Sequence, residues 1–135
     1  MKDKIRGIFE VKMTPQKEVG PVEDALHGRL FLDKEYFGDL EGHGLGQMLS
    51  VGSAVKGSAG YVAIEKVTGQ LMGREGSFAI QHFGLMDRGK PFLRITVIPD
   101  SGTGELTGLS GEMNIEISEG QHFYHFEFEL PDSSD

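Results

Sequence analysis

Residues 124–130 read Tyr-His-Phe-Glu-Phe-Glu-Leu. Large apolar or aromatic side chains stand at Tyr124, Phe126, Phe128 and Leu130, and polar ones at His125, Glu127 and Glu129. Successive side chains of a strand point to opposite faces, so this is a strand with one dry face and one wet one. The same period of two recurs upstream. Phe9, Val11 and Met13 alternate with Ile8, Glu10 and Lys12; Leu26, Leu30 and Leu32 alternate with His27, Arg29 and Asp33. Leu45, Leu49 and Val51 share one parity around Gln47. Leu93, Ile95 and Val97 alternate with Phe92, Arg94 and Thr96, and Leu109, Met113, Ile115 and Ile117 with Ser110, Glu112, Asn114 and Glu116. Gly60–Val67 and Gly76–Met86 complete a set of eight, although both faces of these two are about equally apolar.

No window of eleven or more residues keeps apolar residues at helical spacing without a glycine interruption. The links between strands are mostly short and carry turn residues at Thr68-Gly69, Arg88-Gly89, Asp100-Ser101-Gly102 and Glu119-Gly120. Eight strands so connected predict an antiparallel meander, all-β, closed into a barrel and lipocalin-like in general shape; a two-sheet sandwich is the competing architecture. Closure removes exposed sheet edges, and a barrel of this size holds either side chains or one small ligand. The reading gives one domain over 1–130, a disordered tail over 131–135, and a linker Pro15–Glu23 crossing an open end.

The chain has 135 residues, 20 glycines, five prolines and no cysteine, and a net charge of −8. Glycine inside patterned strands marks bends, bulges and close backbone approaches. The lack of cysteine excludes disulfides, thiolate metal sites and a cysteine nucleophile. With no apolar segment behind the first residues, it points to a cytoplasmic protein. The negative field disfavours nucleic acid and anionic membrane, and no stretch approaches the length of an apolar membrane span. No cofactor is implied. Gly102–Gly108 has the wrong spacing for a dinucleotide loop and lacks the ligand spacing of a calcium loop, so it reads as a glycine turn feeding a bulged strand. His122 and His125, three apart on a strand, face opposite ways and cannot share a metal ion.

The candidate site residues are polar groups that the pattern places inside. Glu105 shares parity with Leu109 and Met113, Tyr124 with Phe126 and Phe128, and Gln47 with the apolar side of its strand. Glu65 and His82 lie on the two-faced strands, so their direction is open. A buried carboxylate must find a partner or take up a proton, which yields a structural hydrogen-bond network or an acid–base site; the network is the commoner case. Glu65, Glu105, His82 and Tyr124 are therefore the candidate chemical groups, and Tyr61, Arg74, Gln47 and Phe126 the candidate ligand contacts. Arg74 reads most simply as a solvated rim charge, with Glu65 or Glu105 as possible bidentate partners.

Three stretches resemble a bacterial family of unknown function, domain-of-unknown-function family 3224. They are Gly60–His82, Val97–Gly111, and Gly120-Gln-His-Phe-Tyr-His-Phe126. The resemblance implies a barrel similar to that of allene oxide cyclase, which closes a ring in an oxidised fatty acid inside an apolar cavity. No functional residue of that enzyme is carried over onto this chain, and the resemblance transfers no activity. Three readings follow: a barrel binding a small, mostly apolar molecule; a cofactor-independent isomerase or cyclase acting on such a molecule; or a homo-oligomer with a filled interior, motivated by the apolar outer faces of Gly60–Val67 and Gly76–Met86.

Overall fold

The computed structural model describes residues 2–16 and 27–131. Eight antiparallel strands close into a barrel in simple meander order. They are β1 (Lys2–Pro15), β2 (His27–Phe37), β3 (Leu40–Gly52), β4 (Ala59–Leu71), β5 (Arg74–Asp87), β6 (Lys90–Val97), β7 (Ser110–Ser118) and β8 (Gln121–Glu129). β1 pairs with β8, for example Ile5 with Phe126, and this seam closes the ring. The expected linker beyond Gln16, Leu26 of the second expected strand, and the tail beyond Pro131 lie outside the described residues.

The turns explain the tight hairpins. Arg88-Gly89 and Glu119-Gly120 have positive φ at both residues, the mirror-image turn geometry whose twist matches that of paired strands. The turn expected at Thr68-Gly69 falls instead at Met72-Gly73, also with positive φ at both residues. β4 runs on past Gly69 and so delivers Leu71 into the core, where it has no exposed surface.

The two ends of the barrel differ. At the end carrying the β2–β3 and β4–β5 hairpins, the lumen is filled by Leu40, Val67, Leu71, Phe78, Ile95 and Phe126, all buried. The connection from β6 to β7 folds across this end and adds Leu106 and Leu109 to the plug. That connection contains the glycine run expected as a turn feeding a bulged strand; a single 3-10 turn, Gly104–Leu106, stands there, and β7 follows from Ser110. It is tied to β5 by Thr103 N donating to Ser77 O (2.8 Å), Ser77 N to Thr103 Oγ1 (3.0 Å) and Ala79 N to Ser101 Oγ (3.0 Å). Gly102 lets the chain pass close to Leu106, whose carbonyl occupies the place a Cβ would need. At the opposite end the inward positions are less covered: Val11, Leu93 and Ile115 are half-buried, and Ile117 is 68% exposed.

β3 reverses the expected facing. Leu45, Leu49 and Val51 point outward and are exposed, while Gly42, Gly44 and Gly46 face the lumen. Between Leu40 and Met48 the inner face of β3 is bare because its neighbours fill the space: a Cβ on Gly44 would meet the Glu65 carboxylate and the Tyr36 ring, and one on Gly46 the backbone of β4.

Candidate functional site

Between the plug and the open end, four polar side chains from three strands meet inside the barrel. Glu65 of β4 is at the centre. Its Oε1 accepts from Lys34 Nζ of β2 (2.9 Å) and from His82 Nε2 of β5 (3.1 Å). Its Oε2 accepts from the Tyr36 hydroxyl of β2 (2.5 Å). None of the four side chains' residues is more than 5% exposed. The strand register assembles them. Glu65 pairs with Gly46 of β3 and Ile80 of β5, so it shares the inward parity of Ala63 and Val67. The missing side chains of Gly44 and Gly46 let β2 side chains reach across β3 to β4.

The electrostatics are those of a compensated buried charge. Burial pushes the Glu65 carboxyl up, but it is outweighed by the His82 hydrogen bond, the Lys34 ammonium, and the bonds from Tyr36 and Lys34; the group sits below the ordinary glutamate value. An ionised carboxylate only accepts, so His82 carries a proton on Nε2. Burial, then the charge and hydrogen bond of Glu65, hold the Tyr36 hydroxyl far above the ordinary tyrosine value. The Lys34 ammonium also stands 5.2 Å from the Phe9 ring centroid, within cation–π range. Both Glu65 oxygens are thus engaged, and three donors have spread its charge. Such a carboxylate is a weak general base.

The bonds to Glu65 use His82 Nε2 and leave His82 Nδ1 and the Tyr61 hydroxyl out of the cluster. Tyr61 lies one pair of positions nearer the open end than Ala63, with its ring 6.5 Å from that of His82. That ring covers Gly84, where a Cβ would collide with it. Burial raises its hydroxyl pKa.

The expected site residues divide as follows. Glu65, His82 and Tyr61 face the lumen and stand together. Tyr124 is inward and fully buried, but its hydroxyl donates to Phe37 O (2.8 Å) and accepts from Leu40 N (3.1 Å), so it ties the β2–β3 hairpin to the wall. Phe126 is inward too, but stacks on Phe78 within the plug, with ring centroids 5.9 Å apart. Glu105 is not on the inward face of a strand. It lies in the 3-10 turn, exposed, and its Oε1 accepts from Glu75 N (3.1 Å), because the β6–β7 connection must cross the barrel end before β7 begins at Ser110. Gln47 is exposed on the outer wall, a consequence of the reversed β3. Arg74 opens β5 at the plugged end and makes no ion pair with Glu65 or Glu105. His122 faces in, 5.2 Å from the Phe9 ring, and His125 faces out to Glu116 (2.7 Å), as the strand period requires.

Lys34 and Tyr36 were not among the candidates. The reading ended this strand at Asp33; extending the parity of Leu30 and Leu32 by two steps puts both residues in the lumen. A lysine on an inward parity is a direct signal that a buried carboxylate faces it.

Fold and site together define a closed eight-stranded barrel with one end plugged and a compensated charge cluster in its lumen. Residues 5–128 match the family described as Protein of unknown function (DUF3224), and the chain belongs to that family. It is similar to a crystal structure of a DUF3224-family protein of unknown function from Shewanella oneidensis MR-1, with 51% sequence identity and a TM-score of 0.91. The match covers 98% of this chain and 100% of that one. No curated protein matches it. Among the described residues, no helix is long and apolar enough to cross a membrane.

Proposed function

We propose that the barrel binds a small, mostly apolar molecule in the unplugged half of its lumen, with the molecule's polar end against Tyr61 and His82. One observation carries the reading: apolar side chains on inward positions at this end, Met13, Met86 and Ile117, remain exposed, one layer (Val11, Gly84, Ile115) beyond a cluster whose own charges are matched. Folding buries inward apolar groups when it can, and a ligand would complete that burial. The Tyr61 hydroxyl and His82 Nδ1 supply a donor and a second polar contact that could fix its orientation. Acid–base catalysis is less well supported, because Glu65 is held ionised by three donors while Glu105 and Tyr124 lie elsewhere.

The test is calorimetric titration of dodecanoic acid and of a naphthol into wild type, Ile115→Trp and Phe83→Lys. The lumen reading expects one molecule per barrel in wild type and in Phe83→Lys, and no binding once a tryptophan fills the open half. Binding that survives Ile115→Trp but is lost in Phe83→Lys, or no binding of either probe, rejects it.

A further inference from the structure

The outer wall of β3 to β6 carries seven large apolar residues in one continuous field. Cross-strand pairing sets Leu49 beside Val62 and Val62 beside Phe83, with Leu85 beside Phe92 in the next row; Val51 and Ile64 extend the field at its corners. These seven are each between 45% and 54% exposed. The polar positions interleaved with them, Gln47 and Gln81, are uncharged. At the field's edge, Arg94 is paired with Glu112 (3.2 Å). Phe83 and Phe92 already meet edge to face, with centroids 6.1 Å apart, and so form a preordered aromatic anchor.

We infer that this face is an interface between copies of the chain. Seven half-exposed large side chains present roughly 600 Å² of surface, at the top of the ~300–600 Å² range of an ordinary monomer's largest patch and, taken on two copies, at the ~1,200 Å² lower bound of a specific interface. The charge distribution leaves this face as one on which two copies can meet. Each copy carries a net charge of −8, so contact through most of its surface is repulsive. An apolar field that holds no carboxylate and is bordered by Arg29 beside Leu49 and Arg94 opposite Phe83 is where two such acidic molecules can meet with least repulsion. A closed two-fold arrangement is self-complementary, with the same residues on both sides and the Val62–Phe83 row near the axis.

The natural absence of cysteine provides a clean test. Single-cysteine variants Val62→Cys and, on the opposite wall, Lys12→Cys are oxidised under the same conditions. The interface predicts that Val62→Cys forms a disulfide-linked dimer and that Lys12→Cys stays at 14.8 kDa. In sedimentation equilibrium at tens of micromolar, wild type should have at least twice the monomer mass. Phe83→Lys with Leu85→Lys should return it to the monomer with its far-ultraviolet circular dichroism unchanged. Should that double variant misfold, the cysteine pair still decides. A monomeric wild type overturns the inference, as does equal crosslinking at both cysteines. A monomer that co-floats with phosphatidylcholine vesicles also overturns it, since the face would then serve a lipid surface.

Discussion

At the scale of single residues, Glu65 decides the behaviour of the lumen. Removing one partner of a buried ion pair strands the other charge, which costs about 3–5 kcal/mol, whereas replacing both with apolar groups costs far less. Lys34→Met should therefore lower the unfolding free energy by about that amount, and Lys34→Met with Glu65→Leu by clearly less than the sum of the single changes. Urea unfolding of the three variants measures this directly. The acid side follows from the lowered Glu65 pKa. A carboxyl that ionises more easily in the folded state adds stability above its unfolded pKa and loses it as pH falls towards the folded one. Wild type should lose stability below about pH 4–5, and Glu65→Gln should remove up to one proton's worth of that slope, about 1.4 kcal/mol per pH unit. Glu116 shifts the same way through His125 and Arg6, but it is present in both proteins and cancels in the comparison. An identical acid slope in the two would contradict the cluster. Of these residues, Glu65 and His82 were recognisable from sequence as polar groups on barrel strands. Their facing was not, because Gly60–Val67 and Gly76–Met86 are apolar on both sides: one side lines the lumen and the other forms the outer field.

At the scale of elements, β3 and the β6–β7 connection depart from simple alternation, and both do so through close approach. β3 carries glycine at inward positions 42, 44 and 46 so that Glu65, Lys34 and Tyr36 can meet, while its Leu45, Leu49 and Val51 are on the outside. Gly44→Ala should cost about 1–3 kcal/mol by overpacking, and less in a Glu65→Ala background where the colliding carboxylate is gone. Parity counting alone could not reveal this, because it assigns the larger residues to the core. Glu105 was given the inward parity of Leu109 and Met113 across the β6–β7 connection, yet that connection is a turn and only two residue pairs join β6 to β7. The seam is completed by the chain folding over the barrel end, with Leu106 and Leu109 both buried beneath it. Leu106→Ala should lower stability by about 2–5 kcal/mol, measured by thermal and urea unfolding, with little effect at the opposite end of the barrel.

At the scale of the whole molecule, strand count, antiparallel order and closure were all readable, because short turns force neighbours in sequence to be neighbours in space. The difference between the two ends was not. It arises from a connection that plugs one end and from inward residues left exposed at the other. The methionines report this difference without any substitution. Met13, Met48 and Met86 are on inward positions of the unplugged half, and Met72 is in the turn at the plugged end. The direct measurement is a methyl NMR titration of methionine-labelled protein with dodecanoic acid. The account predicts saturable shifts at Met13, Met48 and Met86 with Met72 unmoved; no shifts, or a Met72 shift as large as the others, would contradict it.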